Sequence, residues 1–235
     1  MKPTPAALCG YLACLYGSWA GAMSPSASEL VLQHVDRDQL CVTNGVVTAR
    51  PDGRLAVDTP SSRAVVRITT TQSAEIRFQY LGPSQSSKPL ASGELRRQIG
   101  LKLKAQDTCN LLYAMWHIEP DSRIAVSLKR NAGMHLHSQC NANGYENIKP
   151  RRSVASPQIL PGESHTLRAD LHGTELTLMA DGRVVWEGSV GDRAAEIDGP
   201  VGLRTDNARF DVEYYAGAST AKRSGPVDER FNQCL

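Results

Sequence analysis

The sequence predicts an all-β protein, two antiparallel sheets packed face to face as a sandwich or jelly roll. Three observations carry this expectation. Short segments of strand character follow one another, with almost nothing at helical spacing. Within them apolar and polar residues alternate: Ile99, Leu101 and Leu103 against Gln98, Lys102 and Lys104; Ile124, Val126 and Leu128 against Arg123, Ser127 and Lys129; Ile76, Phe78 and Tyr80 against Arg77 and Gln79. Strands of that kind have one packed face and one wet face, the habit of antiparallel sheets. Many of them in a chain of 235 residues make two layers around one core.

The chain opens differently. Lys2 precedes the apolar and small residues Ala6 to Ala22, and Ala20-Gly21-Ala22 suits a signal peptidase. Residues 1–22 are therefore expected to be a secretory signal, with cleavage after Ala22 or Ser28, and the protein to be secreted or periplasmic. Lipid attachment at Cys14 is the other option, although Tyr11 suits it poorly. The run is short for a membrane span, so no transmembrane segment is expected. Residues 23–40 read as a flexible lead, 41–217 as the folded domain, and 218–235 as a tail.

Along the domain, "GVVTA" and "RLAVD" flank the turn "RPDG", and "AVVRITT" and "EIRFQYLG" follow. A loop rich in Pro, Ser and Gly leads to "RRQIGLKLKA", "NLLYAMWHI" and "RIAVSLKR". The polar segment from Asn131 to Ser164 shows little regular pattern. The last strands are the clearest, interrupted by "GDRAAEID", which reads as a short helical turn.

Cysteine usage agrees with export. Cys41, Cys109, Cys140 and Cys234 remain after the signal, and four cysteines allow three pairings. Cys109 with Cys140 would tie a strand to the long loop after it, and Cys41 with Cys234 would join the two ends of the mature chain. Lys and Arg number 26 against 24 Asp and Glu. That balance argues against nucleic acid or an anionic membrane surface as partner.

The run from Ser164 to Gly217 resembles the concanavalin A-like lectin/glucanase superfamily, laminin G-like modules included. The residues that carry the likeness are the turn glycine Gly173, Asp181-Gly182 between two strands, Gly199-Pro200-Val201-Gly202-Leu203, and Phe210-Asp211. Asp-Gly favours a tight hairpin, and Gly202 would allow close backbone approach between sheets. The resemblance implies a concanavalin A-like sandwich and, among its members, glycan binding, glycan cleavage or protein recognition through rim loops.

No enzyme signature stands out. The retaining-glucanase strand Glu-x-Asp-x-x-Glu, the Gly-x-Ser-x-Gly elbow and His-Glu-x-x-His do not occur. Jelly-roll polysaccharide lyases carry Gln-Ile-His, where this chain has Gln98-Ile99-Gly100. No catalytic residue or cofactor is therefore assigned, and a glycoside hydrolase or lyase with an unusual site is the alternative. The expected function is glycan binding through a polar sheet face bearing Arg77, Gln79, Gln98, Lys102, Tyr113, His117, Arg123 and Lys129. In "NLLYAMWHIEP", Trp116 falls on the apolar side, and Tyr113 and His117 fall on the other. Asp206 and Asn207 could serve calcium, but two side chains fall short of its usual oxygen shell. His135, His137 and the basic Lys149 to Ser153 read as solvated loop.

Overall fold

The computed structural model describes residues 1, 31–67 and 70–218. The signal, the lipidation option at Cys14 and the Cys41–Cys234 pairing involve residues outside these.

Every strand pairing among the described residues is antiparallel, as the alternation requires. In chain order the strands are β1 (Leu32–His34), β2 (Leu40–Asn44), β3 (Thr48–Ala49), β4 (Leu55–Val66), β5 (Thr70–Pro83), β6 (Arg97–Leu103) and β7 (Leu111–Glu119). They continue with β8 (Arg123–Lys129), β9 (Tyr145–Ile148), β10 (Arg152–Ser153), β11 (Ser164–His172), β12 (Glu175–Ala180), β13 (Arg183–Ser189) and β14 (Gly202–Ala218). Among the described residues two short α-helices, α1 (His137–Cys140) and α2 (Asp192–Ala195), and a 3-10 turn at Arg37–Gln39 complete the set. Of these, α2 is the helical turn expected from "GDRAAEID".

One curled sheet makes both layers, and β4 and β14 are its fold line. The first half of β14 pairs with β6, and the second half with β5, while β4 runs beside both halves. The bend has a local cause. Asn207 takes φ of 55°, and Pro60, which lacks an N–H, occupies β4 between the residues paired with Asp206 and Ala208. That one residue shifts the alternation. Leu203 and Thr205 are buried before it, and Ala208, Phe210, Val212 and Tyr214 after it. The segments "RLAVD" and "AVVRITT", expected as separate strands, both contribute to the single strand β4.

The front layer runs β9-β8-β7-β6-β14, and the back layer runs β10-β13-β12-β11-β5-β14. Trp116 on β7 sits between them, edge-on to Phe78 of β5 at 5.9 Å and to His165 of β11 at 5.4 Å. Phe78 in turn meets Phe210 at 5.6 Å. Edge-to-face contacts of this kind suit the ring quadrupoles and fix the layer spacing.

Residues 32–39 correct one expectation. They are not a flexible lead, because β1 pairs with the end of β14, Leu32 opposite Gly217. The segment 131–164 is a second correction: it holds α1, β9 and β10. These elements are short and largely exposed, so they leave no apolar period to read. The Cys109–Cys140 disulfide forms, with Cα atoms 5.8 Å apart. No helix among the described residues is long and apolar enough to cross a membrane.

The turn between β12 and β13 places both Asp181 (φ 50°) and Gly182 (φ 75°) in the left-handed region. That is the geometry a two-residue hairpin needs. A Cβ on Gly182 would meet no neighbour, so only the backbone penalty applies. Gly182→Ala is expected to cost about 1 kcal/mol, read from thermal denaturation. Gly202 also acts locally. Its Cβ would lie 2.2 Å from the Ala64 carbonyl of the adjacent β4, so the close approach is between neighbouring strands and not between sheets.

Candidate functional site

Alternation on β6, β7 and β8 sends one set of side chains to the core and the other to the outer face of the front layer. Antiparallel pairing aligns the outer set in cross rows. One row is Asp206, Gln98, His117 and Arg123; the next is Arg63, Arg204, Gly100, Met115 and Ala125. A third runs Val65, Gly202, Lys102, Tyr113, Ser127 and Asn147.

The face was expected to be wet, and its floor is not. Gln98, Lys102, Tyr113, His117 and Lys129 are all buried. The reason lies in their neighbours. Cys41, Val65, Ala105, Leu111 and Met115 share this side and form a second apolar cluster with Tyr113. Its borders stay accessible: Arg63 and Ser127 are half-buried, and Arg123 and Asn147 are exposed.

Six of the eight predicted residues meet on this face, and two do not. Arg77 and Gln79 stand on β5, on the outer side of the back layer. There Arg77 Nε donates to Glu75 at 2.7 Å and its guanidinium lies 4.5 Å from the Tyr215 ring centre. Gln79 Nε2 donates to the Gly162 carbonyl at 3.0 Å. The same in-out phase marks both layers, so it could not say which layer a strand joins. Lys129 is on the front face but is committed to the disulfide loop: its Nζ donates to the carbonyls of Thr108 (3.1 Å) and Asn141 (2.8 Å).

The centre of the floor is a bonded group. Arg204 Nε donates to Asp206 Oδ2 at 2.7 Å, and Gln98 Nε2 donates to the same oxygen at 2.6 Å. The Arg204 guanidinium lies 4.9 Å over Tyr113, which stacks on Tyr145 at 6.1 Å and 21°. Burial opposes the charge of Arg204, but Asp206 and then the two tyrosines more than offset it and raise its pKa. Lys102 has no such support. Burial, then Arg63 and Arg204, lower its pKa to about 7.

At the β8 end, the face opens into a cleft of about 570 Å³. Arg96, His117, Arg123 and Asn147, with the hydroxyls of Ser122, Ser153 and Ser156, supply its polar groups; Ile148, Val154 and Trp186 supply apolar wall. The cleft exists because β9 pairs only with Val126 to Lys129 and leaves the start of β8 uncovered. Burial, then Arg96 and Arg123, lower the pKa of His117 to about 3, so its ring is neutral. Arg96 Nη1 lies 3.4 Å from His117 Nε2. A guanidinium only donates, so Nε2 accepts and Nδ1 carries the proton.

The calcium expectation finds other uses for its residues. Asp206 Oδ2 is held by Arg204 and Gln98. Asn207 Oδ1 accepts from Lys88 N at 2.8 Å, and its Nδ2 donates to the carbonyls of Lys88 and Arg96. Asn207 thus clamps the loop that delivers Arg96. No group of three or more potential ligands lies together among the described residues. His135 Nδ1 instead lies 2.8 Å from Asp107.

Comparison of the sequence with family models finds no match, and comparison with curated proteins finds none. Solved structures do match. The carbohydrate-binding module CBM66 from Bacillus subtilis is 12% identical with a TM-score of 0.50, over 74% of this chain and 91% of that one. The carbohydrate recognition domain of Emp46p is 14% identical with a TM-score of 0.48, over 76% and 87%. LamAcat from Zobellia galactanivorans is 10% identical with a TM-score of 0.46, over 79% and 93%. At such identity the likeness is one of fold. The chain has an all-β sandwich of the concanavalin A-like, jelly-roll type, one large curled antiparallel sheet.

Proposed function

We propose that the protein is an exported, non-catalytic glycan-binding module that takes its ligand on the outer face of the front layer. The observation that carries this reading is the edge cleft, where Arg96, His117, Arg123 and Asn147 converge beside an apolar wall. A concave space with few, convergent polar groups is what a small polar ligand needs. Gln98, Lys102 and Tyr113 continue the same face inward, and Tyr145, 44% exposed, offers a ring at its border. Arg77 and Gln79, on the other layer, have no part in it, and Lys129 serves as the anchor of the disulfide loop.

The test uses exposed residues, so that folding is left intact. Arg123→Ala combined with Asn147→Ala is expected to weaken glycan binding by at least about tenfold in calorimetry against the ligands a glycan array selects. Unchanged affinity in the double variant would overturn the reading.

A polysaccharide-acting enzyme is a second reading with one observation in its favour. Lys102 and His117 are both held toward their uncharged forms within reach of arginines, as a proton-abstracting base would be. Incubation with a polysaccharide panel, followed by reducing-end and ultraviolet assays, decides between the two: new ends or unsaturated products establish an enzyme.

A further inference from the structure

Positive charge on the front face outnumbers its counter-charge. Arg63, Arg204 and Lys102 lie in two neighbouring cross rows on β4, β14 and β6. Asp206 is the carboxylate bonded there, and its ion pair is with Arg204. The side chains of Arg63 and Lys102 have no hydrogen-bond or ion-pair partner among the described residues, and Lys102 is only 3% exposed. A buried cation without a partner lowers stability, so its presence asks for a use.

The acceptors beside it are also unmatched. Gln98 Oε1 and Asp206 Oδ1 are buried without a donor, in the row next to Arg204. Adjacent rows are two residues apart, about 7 Å, a distance one sugar ring can bridge. The floor therefore presents unmatched cations on one row side and unmatched acceptors on the other. A sugar that carries an acid group is the complement: its acid oxygens accept, and its hydroxyls donate.

We propose that Arg63 and Lys102, backed by Arg204, form a subsite for the acid group of an acidic glycan, a carboxylate or a sulfate ester, while Gln98 and Asp206 receive hydroxyls of the same chain. This rests on the glycan-binding reading above and narrows it to acidic polymers. The charged acid group gives Lys102 and Arg63 the partner they lack. Displacement of a neutral sugar by an acidic one gains charge-assisted hydrogen bonds, about twice as strong as neutral ones.

The experiment measures binding of the full chain to a polyuronate, to its carboxyl-reduced form, to a sulfated polysaccharide and to its desulfated form. At least one acidic polymer is expected to bind about tenfold or more tightly than its neutralised counterpart. In Lys102→Met and in Arg63→Gln that ratio is expected to fall toward one, with thermal melting confirming that each variant folds. The carboxyl and sulfate pairs show which acid group is taken. Equal affinity for acidic and neutralised polymers would overturn the subsite and leave glycan binding standing. Binding of none of the four would likewise overturn the subsite, and the glycan array then tests the broader reading on its own.

Discussion

Asp206→Ala is expected to destabilise the protein by about 3–5 kcal/mol, the cost of leaving a buried cation without its partner. Arg204 is 8% exposed, and among the described residues the carboxylate it pairs with is Asp206, at 2.7 Å. The same substitution removes the acceptor of Gln98 Nε2, a second buried donor left unmatched. Tyr113, 4.9 Å beneath the guanidinium, supplies some cation–π attraction but cannot replace a carboxylate. Replacing both partners by apolar residues of similar size, Arg204→Met with Asp206→Leu, should recover much of the loss, because no buried charge then remains unpaired. Urea denaturation of the two single variants and the double variant checks this. A single variant within about 0.5 kcal/mol of the parent would show that the pair is far more hydrated than its burial implies.

Lys102→Met is expected to do the opposite and stabilise the protein, by an amount that depends on pH. Burial and the two nearby arginines hold the folded pKa at about 7, against an ordinary value of 10.5. Between those values the unfolded chain binds the proton more readily than the folded one. Stability of the parent therefore rises as pH climbs from about 7 to about 10.5, and below about 7 the full penalty is present. Methionine removes that penalty. Its advantage should be on the order of a few kcal/mol at or below neutral pH and should fade as the pH rises toward 10.5. Melting curves of parent and variant across that range read the difference directly. A constant offset at every pH would mean that packing, not charge, separates them.

Binding should follow the same proton. The charged groups about Lys102 are Arg63 on β4, Arg204 and Asp206 on β14 and Lys129 on β8, and the tyrosines Tyr113 on β7 and Tyr145 on β9 lie beside them. Lys129 is also lowered, to about 8, by burial and by the same arginines. An acidic ligand favours the protonated amine, so its affinity should fall as pH rises above about 7. The stability cost of Lys102 is then the counterpart of its use in binding, a trade common at functional sites.

How much of this was legible beforehand follows from what alternation can encode. Period-two patterning in "RRQIGLKLKA", "NLLYAMWHI" and "RIAVSLKR" was enough to name the fold class, to send Trp116 inward and to set Tyr113, His117 and Lys102 on one face. Asp181-Gly182 announced its hairpin because few other dipeptides tolerate two positive φ values. The Cys109–Cys140 bridge was readable from its setting.

The tertiary arrangement settled the rest, because pairing partners are remote in sequence. Alternation gives the side of a strand but not the layer it joins, so Arg77 and Gln79 could not be told apart from Gln98 and Lys102. It also assumes an unbroken period. Asn207 breaks it, and alternation therefore left Arg204 out of the expected face and weighed Asp206 only as a calcium ligand, although both pair into the floor beside Gly100 and Gln98. Burial of the polar floor was invisible for a related reason: Val65 arrives beside Lys102 through β4 and β14, more than thirty residues away in the chain. A lysine's charge state depends on such neighbours. Its letter in the sequence carries only the ordinary value, and the fold brings it to about 7.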